Sequence, residues 1–249
     1  MKSKTLKYIN GVIKQKGAAF SILLDPDKFS ADELGNKVKN YEQNGVDFFL
    51  VGGSLMMVNN FHQSIQKIKN STKLPVIIFP GSSSHLSPYA DAVLFISLIS
   101  GRNPNYLFGE HVLSAPIIKD MGIEAISAGY VLIESGTPSA VEIISNTRPI
   151  PRQKIKIVMA HALAAEYLGM DFVYLEAGSG AKESVPDEMI DAVRNYIDIP
   201  LIVGGGIKTP DDAKLKVNAG ASIVVIGNML EQSDKTQIIK EFADAIHYK

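Results

Sequence analysis

Short apolar runs recur along the chain, separated by longer stretches that mix polar and apolar residues. Most of the runs are rich in Val, Ile and Phe, the residue types that are enriched in buried strands. Because continuous apolarity, rather than strict alternation, is typical of parallel strands covered on both faces, the pattern predicts a parallel sheet. The eight runs are residues 18–24, 46–51, 74–79, 91–96, 123–130, 171–175, 200–203 and 223–226.

Eight predicted strands separated by amphipathic stretches favour a closed barrel with its helices outside. The two halves of the chain also resemble each other: residues 45–54 resemble 169–178, and residues 74–81 resemble 199–206, at offsets of 124 and 125 residues. A common offset favours a barrel of two related halves over two generic βαβ units. We therefore predict an α/β protein that forms a single (βα)8 TIM barrel over residues 1–249.

One connection is too short for a regular barrel. Only residues 81–90 separate the third and fourth predicted strands, and they include three consecutive serines. Residues 97–105 also have a loop-like composition, with Gly101 and Pro104. We expect the outer helix after strand 3 to be missing or loosened. Such an opening would leave room for a long ligand, although ordinary loop variation explains the same pattern.

Composition and charge narrow the class of protein. The chain is 46% hydrophobic and 20% charged, so it can bury a sizeable core, and its net charge of -1 gives no global basic excess for nucleic acid. It has no cysteine, which excludes disulfides, thiolate metal sites and Cys nucleophiles. No signal-peptide pattern and no apolar run of about 18 residues is present. These features predict a soluble, cytoplasmic protein without a transmembrane segment.

Glycines follow the last two predicted strands. In a (βα)8 enzyme the active site lies at the carboxyl ends of the strands, and phosphate sites commonly use the loops after strands seven and eight. Residues 204–206 are three consecutive glycines, and Gly227 and Asn228 follow strand eight. Glycine lets the backbone approach an anion closely, and the next helix, which Thr209 and Pro210 would begin, presents free N–H groups. The pattern predicts phosphate binding, with tight turns as the alternative.

Three other strand ends carry candidate chemical groups. Asp25 and Ser54 are hard oxygen ligands that suit Mg²⁺, although a turn and a helix cap explain them equally well. Glu176 could accept a proton from a hydroxyl of the phosphorylated ligand, or form a structural salt bridge. Tyr174 lies on the same side of its strand by alternation.

Seven short stretches, in order along nearly the whole chain, match one known family. They are residues 24–28, 51–54, 79–82, 100–104, 174–180, 203–207 and 226–228. The ordered set resembles geranylgeranylglyceryl phosphate synthases and the related heptaprenylglyceryl phosphate synthases. The segments Asp-Pro-Asp-Lys at 25–28 and Tyr-Leu-Glu-Ala-Gly-Ser-Gly at 174–180 narrow the choice among phosphate-binding barrels.

This resemblance implies a Mg²⁺-dependent prenyltransferase. It would join geranylgeranyl diphosphate to the C3 hydroxyl of sn-glycerol 1-phosphate and release diphosphate. Asp25 and Ser54 would bind Mg²⁺, and Glu176, with an ordinary pKa of about 4.3, would be the base. Leu23 stands where some members carry Lys, which places the chain nearer the second, larger branch. The implied glycerol phosphate ligands are Tyr174, Leu175, Glu176, Ala177, Gly178, Ser179, Gly180, Gly205, Gly206, Gly227 and Asn228.

The remaining expectations concern partners and alternatives. The apolar barrel top and the opening after strand 3 would hold the prenyl tail. Arg102 is equally well explained as a diphosphate contact or as a loop anchor. We expect a homo-oligomer with transient membrane-surface contact. The alternatives are a sugar-phosphate isomerase or epimerase and a non-catalytic protein that binds a phosphorylated metabolite.

Overall fold

The computed structural model describes residues 3–57, 60–227 and 236–249, and their strands form a closed parallel barrel. Each strand pairs in parallel with the next, and the eighth pairs with the first. The predicted (βα)8 fold is therefore confirmed. The strands are β1 (Ala19–Leu24), β2 (Phe48–Gly52), β3 (Val76–Phe79), β4 (Ala92–Ser97), β5 (Glu124–Leu132), β6 (Phe172–Glu176), β7 (Leu201–Gly204) and β8 (Ile223–Ile226).

Helices surround the barrel and one of them closes its amino-terminal end. This first helix packs Ile9 and Val12 against the barrel interior, and Glu124 accepts hydrogen bonds from the backbone N–H groups of Thr5 and Leu6 at 2.7 and 3.1 Å. This helix does not cover the opposite end of the barrel, where the carboxyl ends of the strands lie. The helices are α1 (Lys4–Lys16), α2 (Ala31–Gln43), α3 (Phe61–Ser71), α4 (Glu110–Met121), α5 (Ala140–Ser145), α6 (Ile155–Tyr167), α7 (Asp187–Arg194), α8 (Pro210–Asn218) and α9 (Thr236–Ile246).

The strands are mostly apolar because their two faces are largely buried. In β2, Phe48 and Leu50 point into the barrel interior, whereas Phe49 and Val51 pack in the layer between the strands and the helices. Neither face of β2 meets water, so no polar alternation is needed there, and burial on both faces explains the continuous apolar runs.

Aspartates at the amino-terminal ends of three strands hold the preceding strand in register. Asp47, Asp91 and Asp171 stand directly before β2, β4 and β6. Their carboxylates accept hydrogen bonds from the backbone N–H groups of Phe20, Val76 and Ser127 at 2.8, 2.8 and 2.9 Å. Two of the predicted runs began at these aspartates, one residue before the observed strands.

The expected opening after β3 is present. Residues 80–91 form turns without a helix, and β3 pairs with β4 through only two residue pairs, Ile77 with Ala92 and Ile78 with Val93. Beyond β4, a loop leads into a π-helical turn, Asn105–Gly109, that continues as α4. Helix α4 therefore covers the barrel wall beside the opening.

Candidate active site

The carboxyl ends of the strands surround a cavity of about 450 Å³. Three predicted site residues do not line it, for reasons visible in the structure. Leu175 and Ala177 pack in the layer between strands and helices, and Gly178 contributes a backbone N–H to Glu176 instead. Asn228 lies outside the described residues. The predicted residues that do line the cavity are Asp25, Ser54, Tyr174, Glu176, Ser179, Gly180, Gly205, Gly206 and Gly227.

Glu176 is the last residue of β6, and its side chain is buried in the cavity wall. One carboxylate oxygen, Oε1, accepts a hydrogen bond from the backbone N–H of Gly178 at 2.6 Å. Burial raises the pKa of Glu176 from 4.5 to about 7, and the Gly178 hydrogen bond and the nearby Tyr174 hydroxyl oppose this rise. The ordinary pKa expected from the sequence is therefore wrong, because that expectation took no account of burial.

The glycines at the end of β7 make room for the side chains of β6. A Cβ atom at Gly204 would lie 2.5 Å from the Tyr174 hydroxyl oxygen and 2.8 Å from Glu176 Oε2. A Cβ atom at Gly205 would overlap Glu176 Oε1, and Gly205 also has a φ of +82°, which favours glycine. The sequence interpretation assigned these glycines to phosphate binding or turns, and it missed their packing against the carboxylate.

Tyr174 lies two residues before Glu176 and, as predicted, on the same side of β6. Its ring packs in the barrel interior against Phe79 and Tyr130, with centroid distances of 5.9 and 5.3 Å. Its buried hydroxyl interacts with the neighbouring Glu176 carboxylate, but it makes no well-formed hydrogen bond among the described residues. Burial, and then the Glu176 charge, raise the pKa of Tyr174 well above 10.0, so the hydroxyl is a neutral donor. A polar ligand in the cavity would give it a partner.

Asp25 combines a local structural role with a place in the cavity wall. Its Oδ1 accepts a hydrogen bond from the backbone N–H of Asp27 at 3.1 Å and caps the short helix Pro26–Lys28. Its Oδ2 lies 3.6 Å from Lys28 Nζ, and the residue lines the cavity together with Ser54. Both interpretations of Asp25 from the sequence, as a Mg²⁺ ligand and as a turn residue, are therefore compatible with the structure.

These oxygen donors suit a Mg²⁺ ion whose remaining ligands come from a substrate. Mg²⁺ usually keeps several waters and binds through one or two protein oxygens plus phosphate groups. Within the described ranges, no group of three or more His, Cys, Asp or Glu side chains is placed to hold a metal ion without such help. Asp25 and Ser54 therefore suit a Mg²⁺ site that a substrate phosphate completes.

A second, apolar cavity of about 100 Å³ opens where the outer helix after β3 is missing. We call it the tail groove, after the position that we expect for the prenyl tail. It lies between β4, the turns that follow β3, and the inner face of α4, where its apolar wall includes Leu86, Val93, Phe95 and Ile118. The two cavities adjoin, because they share the lining residues Ser54, Phe79, Tyr130 and Val141.

Sequence reasoning missed several residues that shape these cavities. Phe79 and Tyr130 stand at or near the ends of β3 and β5, and bulky inward-pointing aromatics at strand ends were the available signal. Lys182 and Lys208 also line the larger cavity, close in sequence to the glycine-rich segments. Arg102 donates to the backbone carbonyls of its own loop, at 2.5 Å to Gly101, which supports its interpretation as a loop anchor.

Comparison with known proteins shows close relatives along the whole chain. The model of the PcrB family matches residues 10–246. The chain is 46% identical over 235 residues to the geranylgeranylglyceryl phosphate synthase of Chitinophaga pinensis, covering 94% of this chain and 92% of that protein. It is 43% identical over 244 residues to the protein of the same name from Pyrococcus horikoshii, covering 98% of this chain and 95% of that one.

A solved structure has the same fold in detail. It is the (S)-3-O-geranylgeranylglyceryl phosphate synthase of Thermoplasma acidophilum in complex with sn-glycerol-1-phosphate. The two chains superpose with a TM-score of 0.91 at 34% identity, covering 96% of this chain and 98% of that one.

Proposed function

This chain belongs to the PcrB family, and from that membership we propose that it is a geranylgeranylglyceryl phosphate synthase that depends on Mg²⁺. The proposed reaction forms an ether bond between the C3 oxygen of sn-glycerol 1-phosphate and C1 of geranylgeranyl diphosphate. The bond from C1 to the diphosphate oxygen breaks, and its electron pair leaves with diphosphate. The hydroxyl proton passes to Glu176.

One structural observation carries this proposal. A polar cavity that holds a buried carboxylate adjoins an apolar groove, and Ser54, Phe79, Tyr130 and Val141 belong to both walls. The two compartments suit two substrates of opposite character, a small phosphate ester and a long isoprenoid. An isomerase or epimerase of sugar phosphates needs only the first compartment. A non-catalytic binding protein needs no buried acid with a pKa of about 7 in its polar cavity.

The glycerol phosphate is assigned to the larger cavity. Gly205, Gly206 and Gly227 let the backbone approach the phosphate, and Ser179 and Gly180 face the same space. Tyr174 lines this cavity, and its hydroxyl can donate to a substrate oxygen because it makes no well-formed hydrogen bond among the described residues. These contacts would place the C3 hydroxyl beside Glu176. The predicted contact through Asn228 lies outside the described residues.

Glu176 is suited to accept the proton of that hydroxyl. A general base works best when its pKa lies near the working pH, and burial brings Glu176 to about 7. The hydrogen bond from Gly178 N–H holds Oε1, and Oε2 lies next to the Tyr174 hydroxyl. The carboxylate is therefore oriented before the substrate binds, which lowers the entropic cost of reaction.

Asp25, which lines the larger cavity, and Ser54, which lines both cavities, would hold Mg²⁺. The ion, when bound, would neutralise the diphosphate leaving group. The tail groove would bind the isoprenoid chain, at about 0.8 kcal/mol for each buried methylene, and would keep water away from C1. Phe79 and Tyr130 line both cavities, so they would lie between the two substrates.

Two modes of association stay predictions: assembly into a homo-oligomer and transient contact with a membrane surface. Phe108, Val112 and Leu113 are exposed on and before α4, the helix that walls the tail groove, and either contact would cover them. Light scattering after size-exclusion chromatography and co-sedimentation with lipid vesicles distinguish these two modes. In the parts of the chain that are described, no helix has both the length and the apolar character needed to cross a membrane. The cytoplasmic location also stays a prediction.

The test uses purified protein, Mg²⁺, geranylgeranyl diphosphate and each enantiomer of glycerol phosphate in separate reactions. We expect diphosphate release and a solvent-extractable phospholipid from the sn-1 enantiomer alone, and none in the presence of EDTA. The Glu176→Gln variant is the matched protein control. An absence of product with C15, C20 and C35 donors would contradict the proposal and return the chain to the general class of phosphate-binding barrels.

A further inference from the structure

The loop between β6 and α7, residues 177–186, lines the larger cavity through Ser179, Gly180, Ala181 and Lys182. We call it the phosphate loop. Its second half is held by basic side chains that come from three separate places in the chain. Lys208 Nζ donates to the carbonyl of Lys182 at 2.9 Å, Arg152 Nη1 donates to the carbonyl of Ser184 at 2.7 Å, and Lys216 Nζ donates to the carbonyl of Val185 at 2.9 Å.

Two of these cations are held in place by acidic partners. Arg152 Nε lies 3.3 Å from the Glu183 carboxylate, within the phosphate loop itself. Lys216 Nζ lies 2.6 Å from Asp187 at the start of α7, and Lys216 is only 5% exposed. A buried ammonium group is retained only when its hydrogen bonds are satisfied. The carbonyl of Val185 is therefore a necessary partner of Lys216, and the two groups fix each other.

The phosphate loop also packs closely on the turn after β7. A Cβ atom at Gly206 would lie 2.8 Å from the backbone nitrogen of Ser184 and 3.0 Å from the carbonyl oxygen of Glu183. The backbone N–H of Glu183 donates to the carbonyl of Ser135 at 3.3 Å. The loop and the Gly205–Gly206 turn thus form one wall, and a shift of residues 182–185 would move the backbone groups that face the cavity.

We infer that three basic side chains hold the phosphate loop in the conformation that binds glycerol phosphate. These positioning residues are Arg152, Lys208 and Lys216. Each cation engages a backbone carbonyl of the loop, at Lys182, Ser184 or Val185, with a charge-assisted hydrogen bond that fixes this part of the backbone. Lys208 lines the cavity and adds its own positive charge there. Arg152 and Lys216 are not among the described residues that line the cavity, so they act through the loop. This inference rests on the proposed function.

Because the two substrates would bind in different cavities, a change in the binding of glycerol phosphate can be distinguished from a change in the binding of prenyl diphosphate. Glycerol phosphate would contact the phosphate loop, whereas the prenyl donor would occupy the tail groove between β4 and α4. Weakening the loop's attachment should raise the KM for glycerol phosphate and leave the KM for prenyl diphosphate unchanged. A purely structural role would instead lower stability, or change both KM values together.

The test compares Arg152→Met and Lys216→Met with the conservative variant Arg152→Lys. Lys67→Met is the matched control, because it removes a 2.6 Å surface ion pair with Asp32 that does not involve the phosphate loop. Both KM values and kcat are measured well below the melting temperature of each variant, and the thermal midpoint is measured separately. We expect the Met variants to raise the KM for glycerol phosphate about tenfold, the size expected for one lost hydrogen bond to a charged group. Arg152→Lys should recover part of this loss.

Direct binding separates this inference from the proposed function. Calorimetry measures the affinity of sn-glycerol 1-phosphate for each variant without a prenyl donor. A wild-type protein that binds the ester but gives no prenylated product would count against the proposed function alone. Arg152→Met that binds the ester as tightly as the wild type, or KM values for both substrates that rise in parallel, would overturn the positioning role. If Lys216→Met fails to fold, Arg152→Met still tests the inference, because Arg152 is less buried than Lys216.

Discussion

Tyr174 and Glu176 present their polar atoms to the same face of β7, where only a glycine leaves room for both. The Tyr174 hydroxyl oxygen and Glu176 Oε2 would lie 2.5 and 2.8 Å from a Cβ atom placed at Gly204. Neighbouring strands of a parallel barrel are in direct contact, so a residue on one strand sets the side-chain space of the next. The positions of Glu176, the proposed base, and of the Tyr174 hydroxyl, the proposed hydrogen-bond donor to the substrate, therefore depend on Gly204, which has no reactive group.

Gly204→Ala should disable the site through this contact. The added methyl group would displace both side chains, so we expect kcat to fall by roughly two orders of magnitude, the contribution of a positioned general base. Overpacking of this kind costs about 1–3 kcal/mol of stability. Steady-state kinetics and chemical denaturation measure the two effects. Gly11→Ala in α1 is the control, because no atom outside its own stretch of helix lies within 4 Å of the new Cβ. Near-normal kcat in Gly204→Ala would contradict the proposed contact.

Glu176→Gln should separate binding from turnover. The amide keeps the size of the carboxylate and can still accept the hydrogen bond from Gly178 N–H, but it cannot take a proton. We expect kcat to fall by about 10²–10⁴-fold while the affinity for glycerol phosphate is retained. Stopped assays of prenylated product and calorimetric titration of the ester test both parts. Turnover close to that of the wild type would exclude Glu176 as the base.

The same residue should make stability depend on pH. The pKa of Glu176 is about 7 in the folded protein and near 4.5 when the chain is unfolded, so the folded state binds more protons between these values. Its contribution to stability is therefore full below pH 4.5 and is lost as the pH rises through 7. The loss is on the order of 3 kcal/mol, at about 1.4 kcal/mol for each pKa unit. Glu176→Gln should gain stability relative to the wild type between pH 5 and pH 8, as measured by denaturation at each pH.

Asp25→Asn tests the proposed Mg²⁺ site with little structural disturbance. Asparagine is as good a cap as aspartate, so its side-chain oxygen can still accept the hydrogen bond from Asp27 N–H while the negative charge is lost. We expect the Mg²⁺ concentration for half-maximal activity to rise about tenfold or more, with weaker binding of the diphosphate substrate. Asp32→Asn, which removes a surface carboxylate paired with Lys67, is the charge-matched control. An unchanged Mg²⁺ titration in Asp25→Asn would refute the assignment.

Ser114→Phe should narrow the tail groove. Ser114 lies on the inner face of α4 and lines the groove, whereas Leu113 on the same helix is exposed. Because each buried methylene contributes about 0.8 kcal/mol, excluding the far part of a C20 chain should raise its KM at least tenfold, with less effect on a C10 donor. Donors of C10, C15 and C20 are compared in Ser114→Phe and in the control Leu113→Phe. Equal effects on all three lengths would place the tail elsewhere.

The fold and the general position of the site follow from the order of residues alone. Strands covered on both faces must be apolar throughout, so the runs around β2, β3, β6 and β7 are visible whatever their partners are. The carboxyl ends of all strands in such a barrel meet at one end, so Asp25, Ser54 and Glu176 could be grouped although they are far apart in sequence. The missing helix after β3 was visible because ten residues cannot hold a strand connection with a full helix.

The pairwise relationships across the barrel were decided by the tertiary structure. The pKa of Glu176 depends on burial against Gly204 and Gly205, and the attachment of Ser184 to Arg152 joins two loops 32 residues apart. The meeting of the polar cavity with the tail groove depends on Phe79 and Tyr130, which come from two different strands. The spacing of apolar residues along one helix or strand indicates which of its faces is buried, and this spacing can be seen in the sequence. Desolvation, hydrogen-bond geometry and cavity shape depend on distances between elements, which exist only once the barrel has closed.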